Sequence, residues 1–538
     1  MEKGYWMLVL HAHLPFVRHP EYKDSFEERW LYEAIIETYI PLLQMFERLE
    51  RDRVRFRLTM SLTPPLVNML NDILLRDRFQ LHLEKIIELT EKELVRTKKE
   101  PEFHHTAIIY NELLKKFHKI YLEDYKRDIT GAFKNFQDRG NIEIMTCGAT
   151  HGFFPLIGIH RECVKAQIEV AVNNHKMTIG RPPKGIWLPE CGYNPGDDEI
   201  LKHYGINFFF VDSHGLFFSN PIPRYGTYAP VYTPCGVAVF ARDMESSRQV
   251  WSSKGGYPGD VDYREFYRDT GYDLPEEYIK PYIHESGIRI NTGIKYYRVT
   301  GDTVELSEKK PYNYHKALEK ARIHGEHFVK TRTEQIEYWS NNLKILPLVV
   351  SPYDAELYGH WWFEGPHFLE HVFRFMHNQG NIIPVTAVEY LEKYPTHQVA
   401  VPSSSSWGHK GYNEYWLNET NDWIYRHLHR GAEKMIELAN IYRNDTIDEV
   451  KRRALNQCAR ELLLAQSSDW AFIMRSGTTV EYAIKRTREH LSRLYQLYEE
   501  IKHGKINNTQ LELLEKRDNI FPGIDYRVYC SHNVMRDA

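Results

Sequence analysis

The chain has 538 residues and a formal net charge of −4 with acids and bases interspersed, so it offers no basic face for nucleic acid and suits a neutral polymer better than a polyanion. Its length exceeds one ordinary hydrophobic core and requires a large domain with insertions or a smaller companion. No apolar stretch reaches the ~18–20 residues of a membrane span; the six cysteines (Cys147, Cys163, Cys191, Cys235, Cys458, Cys530) form no C-x-x-C pair, and the apolar run 5–10 is too short for a signal peptide, so a soluble cytoplasmic protein is expected.

Short, nearly continuous apolar runs at 6–10, 56–61, 142–147, 185–188, 208–211, 237–241 and 346–350 read as strands buried on both faces. Amphipathic stretches such as 31–49 and 161–178 lie between them, the alternation that builds a parallel sheet from βα units. Each run is followed by polar or ionisable residues: His11-Ala12-His13, Thr63-Pro64, Ala149-Thr150-His151, Glu190, Asp212-Ser213-His214, Arg242-Asp243 and Asp354. Such residues at the carboxyl ends of successive parallel strands mark the catalytic face of a β/α barrel. Seven runs rather than eight imply an incomplete or irregular barrel. The charged stretch 66–138 reads as a helical insertion, and 217–285 as a second helical insertion that also carries loops. Within the latter, 217–234 is rich in Pro, Gly, Ser and Tyr and is expected to form a loop near the barrel mouth, with Tyr225, Tyr228 and Tyr232 as its candidate tips; 249–269 carries a turn at Tyr257-Pro258-Gly259-Asp260. The Ser-rich stretch 402–408 reads as a linker. A catalytic barrel over 1–400 and an α-helical domain over 401–538 follow.

Two of the strand-end residues are carboxylates in aromatic settings, Glu190 after Gly185-Ile186-Trp187-Leu188-Pro189 and Asp354 before Trp361-Trp362-Phe363. Breaking and remaking a glycosidic bond takes two carboxyl groups, one nucleophilic and one proton-donating, and aromatic faces give sugar rings a flat apolar surface. A strand-end acid is equally able to pair with a Lys or Arg, and Glu356 competes with Asp354. A nucleophile has to be ionised and an acid has to keep its proton. Glu190 has strand-end histidines and Arg242 to stabilise charge, whereas Asp354 leads into an aromatic run, so Glu190 is assigned as nucleophile and Asp354 as general acid/base. His11-x-His13, with His151, His214, Asp212 and Asp354, also matches the donor set of a zinc-dependent barrel hydrolase or deacetylase; the alternative is that these histidines donate to sugar hydroxyls and to the nucleophile. Trp361 is expected to line the acid's pocket. Trp407 and Trp416, placed in loops, are expected to stack on glucan rings. Asp469 sits in a C-terminal helix and reaches a sugar hydroxyl only if that domain lids the barrel; a helix-surface charge is its plain alternative.

The chain closely resembles glycoside hydrolase family 57, in its branching-enzyme and AmyC-like α-amylase subgroup, almost end to end. The resemblance rests on L-V-L-H-A-H-L-P-F-V, A-T-H-G-F-F-P-L, G-I-W-L-P-E-C-G-Y, F-F-V-D-S-H, the stretch from Q-V-W-S to Y-R-E-F-Y-R-D, S-P-Y-D-A-E-L-Y-G-H-W-W-F-E-G-P, S-S-W-G and A-Q-S-S-D-W-A-F-I-M. It implies a (β/α)7 barrel with an α-helical C-terminal domain and a retaining mechanism on α-glucans (amylose, glycogen, maltooligosaccharides) without metal or other cofactor. Its nucleophile falls on Glu190, its acid/base on Asp354, and its substrate-side residues on His11, His13, His151, Trp251, Trp407, Trp416 and Asp469. Branching members carry a longer tyrosine-tipped loop where this chain has only 217–234, which favours the AmyC-type hydrolase, whereas Trp407 and Trp416 suit the holding of an acceptor chain; 1,4-α-glucan branching is expected slightly ahead of amylase-type hydrolysis or 4-α-glucan transfer. A metal-dependent hydrolase and a non-catalytic glucan-binding protein are the readings from other classes.

Overall fold

The seven apolar runs form seven parallel strands of one curled sheet in a computed structural model of the protein, which describes residues 2–531 apart from 253, 254, 285, 302 and 445. These are β1 (Gly4–Ala12), β2 (Leu58–Leu62), β3 (Ile142–Cys147), β4 (Gly185–Trp187), β5 (Phe208–Val211), β6 (Ala238–Ala241) and β7 (Leu348–Asp354). Their order across the sheet is β6-β5-β4-β3-β2-β1-β7, every neighbouring pair parallel. The two outer strands meet where the Asp243 N–H donates to the Val350 carbonyl at 2.8 Å, which gives the irregular (β/α)7 barrel. An eighth strand, β8 (Ile382–Pro384), pairs with Gly4–Trp6 of β1. Because β7 covers β1 along Tyr5–His11 and β2 begins its pairing only at Leu8, β8 occupies the free start of the edge that β2 uses higher up.

The apolar runs form strands because both faces find cover. Alternate residues point to opposite sides of a strand: Tyr5, Met7 and Val9 join Trp187, Phe210, Phe240 and Val350 in one buried cluster, while Trp6, Leu8 and Leu10 pack into the larger core shared with the surrounding helices. The inserted region after β2 is helical as expected, with helices Pro64–Asn71, Ile73–Arg96, Pro101–Lys119 and Ile129–Asp138. The C-terminal part is also helical, with Trp423–Ile441, Glu449–Ala465, Ser468–Ser476, Val480–His503 and Asn508–Arg517, and its apolar stripes (Met435, Leu438, Leu462, Leu494) belong to the same core as the barrel helices.

Two expectations are corrected. The stretch 402–408 is not a free linker: the chain pairs in passing with the barrel at Tyr232↔Val399, Asn220↔Val401 and Tyr193↔Ser405. The loop 217–234 does not stand at the barrel mouth. Tyr228 accepts through its carbonyl from the N–H of Leu348, the first residue of β7, at 2.9 Å, which lies about 20 Å down that strand from Asp354 at ~3.3 Å per residue. The Tyr228 ring packs on Trp339 at 4.8 Å, Tyr232 pairs with Ala238 at the start of β6 and packs on His397, and Tyr225 lies in the turn before Tyr228, under Arg224. Aromatic side chains in this loop seal the seam between β6 and β7 at the far end of the barrel.

Candidate active site

Glu190 is presented by a strained turn. Just past β4, Pro189–Cys191 form one 3-10 turn in which Glu190 has φ 60° and ψ 23°, left-handed backbone that costs a non-glycine residue about 1–3 kcal/mol and persists only where its surroundings enforce it. The surroundings come from two distant segments. Residues 405–407 run antiparallel to 190–193, with Tyr193 and Ser405 exchanging backbone hydrogen bonds and the Trp407 N–H donating to the Glu190 carbonyl at 3.0 Å. This pairing delivers the Trp407 indole N–H to Glu190 Oε2 at 2.9 Å. On the other side, Gly152 bridges Ser467 and the Ser468 N–H donates to the His151 carbonyl, which brings Ser468 Oγ to Glu190 Oε1 at 2.9 Å. Burial pushes the Glu190 carboxyl up; the donors Trp407 and Ser468 oppose it, Asp469 adds to it, and the net direction is upward.

Beside Glu190 lie His11, His13 and His151, their rings stacked, with His13 and His151 only 3.8 Å apart. All six ring nitrogens have partners inside the protein. His11 Nδ1 meets Ser61 Oγ at 2.6 Å and its Nε2 meets His151 Nε2 at 3.0 Å; His151 Nδ1 meets Ser468 Oγ at 2.8 Å; His13 meets Thr63 through Nδ1 and Asp469 through Nε2, each at 3.0 Å. Burial keeps His11 and His151 well below the ordinary histidine range. Burial also works against a charged His13, but the adjacent Asp469 carboxylate outweighs it and raises that pKa; Asp469 is held down to about 2, the attraction of His13 overcoming its own burial. His13 and Asp469 thus form a buried pair beside Glu190 in which each favours the charged form of the other. Each of the three histidines places one ring nitrogen within 4.8 Å of the others, close enough for a shared cation. The Nε2 bond of His13 to Asp469, and the partners already held by the other ring nitrogens, do not fit a ligand set, in which each ring must offer a free lone pair.

Asp354 closes β7 beside His11, its register partner on β1. Among the described residues no donor hydrogen-bonds its carboxyl. Burial raises its pKa well above the ordinary aspartate range, and the neighbouring Glu356 and Glu190 charges raise it further against the pull of Arg242. Glu356 is itself tied down, accepting from the His13 N–H at 3.2 Å and the Tyr39 hydroxyl at 2.5 Å. One buried carboxyl therefore has two side-chain hydrogen-bond donors and the other none, an inequality that favours the charged form at Glu190 relative to Asp354. Arg242 pairs with Asp212, which also caps the helix Ser213–Phe217; His214 Nε2 meets the Gly411 carbonyl at 2.7 Å.

The remaining sequence candidates fall elsewhere. Trp416 is 1% exposed and stacked on Phe153 at 4.4 Å, so it is core and no platform for sugar rings. Trp407 is bonded to Glu190 and packed edge-on against Trp187. Trp361 lies on the rim, 56% exposed and stacked on Phe266 at 4.5 Å. Trp251 ends the helix Met244–Trp251 and is partly exposed, with no ring contact among the described residues. The three loop tyrosines are at the far end of the barrel. Ser468 was missed; the signal was its place beside Asp469, both brought to the barrel by the same helix start.

The glycosyl hydrolase family 57 model matches residues 7–337, and the model of the C-terminal region of 1,4-alpha-glucan branching enzymes matches 427–529. A 1,4-alpha-glucan branching enzyme of Thermococcus kodakarensis is 35% identical over 99% of this chain and 79% of its own. The crystal structure of the alpha-amylase AmyC from Thermotoga maritima superposes with a TM-score of 0.93 at 47% identity, covering 99% of this chain and 100% of that one. The branching enzyme from Pyrococcus horikoshii superposes with a TM-score of 0.88 at 33% identity, covering 99% and 97%.

Proposed function

Since the chain belongs to glycosyl hydrolase family 57, we propose that it cuts α-1,4-glucans by a retaining mechanism and rejoins them as α-1,6 branches, as a 1,4-α-glucan branching enzyme. The observation that carries the chemistry is the unequal treatment of the two carboxyl groups. Glu190, oriented by Trp407 and Ser468, attacks the anomeric carbon as its bond to the leaving oxygen breaks, and Asp354 transfers its proton to that oxygen. The glycosyl-enzyme ester is then opened by a glucan 6-hydroxyl: Asp354 takes the hydroxyl proton, the new C1–O6 bond forms, and the Glu190 carboxylate leaves. Of the His13–Asp469 pair, the His13 ring favours the ionised form of Glu190 and the Asp469 carboxylate opposes it, so the two donors Trp407 and Ser468 carry the stabilisation of that charge.

Branching is supported by the curated relative and by the match to the branching-enzyme C-terminal region. Hydrolysis is the second reading, favoured by the 47% identity to the amylase structure and by the absence of the 217–234 tyrosines from the mouth, where they would help exclude water from the ester. Incubation with amylose followed by debranching and chain-length analysis separates the two: new α-1,6 linkages establish branching, and reducing ends without them refute it in favour of hydrolysis. The protein is expected to act in the cytoplasm on amylose, glycogen and maltooligosaccharides, without a metal.

A further inference from the structure

Beside the rim tryptophan lies a groove that the two carboxylates do not use. Its lining is Phe266, Tyr267, Arg268, Tyr272, Asn291 and Ser307, with Leu306 and Asp273 at the edge, and it encloses about 540 Å³, within the ~300–1,000 Å³ range of ligand sites. Tyr267 is 69% and Tyr272 51% exposed. Trp361, stacked by one face on Phe266, prolongs this aromatic surface towards the cleft. The link to the catalytic centre is short: the Trp361 N–H donates to the Glu356 carbonyl at 3.1 Å, and the Glu356 carboxylate holds the His13 backbone.

The loops that line the groove are tied together by hydrogen bonds. The buried Asp269 carboxylate accepts from the N–H groups of Gly271, Thr292 and Gly293 and from the Thr292 hydroxyl, all at 2.8–2.9 Å, which locks the two loops that carry Tyr272 and Asn291 together. A Cβ on Gly271 would lie 1.9 Å from the Ile290 carbonyl oxygen, so the loops touch at a point only glycine allows. Arg268 is spent on Asp273 and on the Leu306 carbonyl and lies over Tyr297, leaving the groove without an unpaired charge. Exposed rings with amide and hydroxyl groups between them, and no net charge, fit a neutral sugar chain: apolar sugar faces meet the rings and hydroxyls meet Asn291 and Ser307.

Building on the glucan reading above, we propose that this groove is a second α-glucan-binding site, continuous with the catalytic cleft past Trp361, which anchors a long chain several sugar units away from the bond being cut. The test uses the full-length protein, Tyr267→Ala/Tyr272→Ala, and Ser307→Arg, which fills the groove without removing a ring. KM is measured on amylose and on a short maltooligosaccharide, and retardation is measured in glycogen-containing native gels. Both variants are expected to raise the amylose-to-oligosaccharide KM ratio roughly tenfold, the scale of losing two aromatic contacts, and to migrate faster than wild type in glycogen. An active wild type whose variants keep both the KM ratio and the retardation overturns the groove alone. A wild type that neither turns over nor binds any α-glucan overturns the enzymatic reading and the groove with it.

Discussion

Ser468→Ala tests the electrostatic logic of the site with the smallest change of shape. Ser468 Oγ donates to Glu190 Oε1 at 2.9 Å and contacts His151 Nδ1 at 2.8 Å, so alanine removes one of the two side-chain donors on the nucleophile and leaves Trp407 as the other. A hydrogen bond to a charged group contributes about 1.5–3 kcal/mol, and one pKa unit corresponds to about 1.4 kcal/mol. The lost donor favoured the ionised form, so its removal raises the Glu190 pKa by about one to two units. The nucleophile acts deprotonated; the acid limb of kcat/KM therefore moves to higher pH by that amount, while the basic limb, set by loss of the Asp354 proton, stays close to its wild-type position. The assay is kcat/KM on amylose across pH, with circular dichroism to confirm folding. A folded variant with an unmoved acid limb would refute the claim that Ser468 holds the nucleophile's charge.

Glu190→Gln should abolish turnover and the covalent glycosyl-enzyme, read by mass spectrometry of the protein quenched with substrate; a surviving intermediate would remove the assignment. Asp354→Asn should lower kcat on glucans about 10²–10⁴-fold, the usual worth of a positioned proton donor, and flatten the basic limb of the pH profile. Asp469→Asn removes the partner of His13. Asp469 is depressed to about 2, so its contribution is present above the unfolded aspartate pKa and fades as pH falls towards 2; His13 is raised, so its contribution is present below the unfolded histidine pKa and fades as pH rises through its folded value. The pair therefore stabilises between about pH 4 and 6.5, and the variant should lose about 2 kcal/mol there by urea unfolding, less on either side. Gly359→Ala should cost more than about 3 kcal/mol, because Gly359 has φ +123° and an added Cβ would lie 1.8 Å from the Glu37 carbonyl oxygen; thermal unfolding measures it. Dialysis against a strong chelator should leave activity intact, and loss that zinc restores would assign a metal to His11, His13 and His151.

The strands were legible because burial on both faces leaves an unbroken apolar run, and β3 and β5 begin and end where those runs do. β8 was not, since three residues carry no readable period and Ile382–Pro384 earn their place only by pairing with β1. The carboxylates and histidines stand out as candidates because each follows directly on an apolar strand run. Trp416 was misread: a loop tryptophan among Asn, Glu and Tyr looks exposed until Phe153 and the helix Trp423–Ile441 are seen to close over it. The tyrosines of 217–234 were misplaced for the converse reason, because composition marks a loop but does not say at which end of the barrel it lies. Ser468 was hidden because its importance depends on a 278-residue separation from Glu190.

That separation explains why the helical C-terminal part matters to the chemistry. The barrel alone supplies two buried carboxyl groups whose burial pushes both towards the protonated state, and two protonated acids make no nucleophile. What distinguishes them is delivered from outside the barrel strands: the Trp407 indole and the Ser468 hydroxyl, which both donate to Glu190. Neither bonds Asp354. The asymmetry between nucleophile and acid is thus set by how residues 405–407 and 467–469 pair with the barrel loops at Tyr193 and Gly152. A perturbation that loosens either pairing should move the two pKa values together before it unfolds anything, so the bell-shaped pH profile should narrow while the far-ultraviolet circular dichroism stays native.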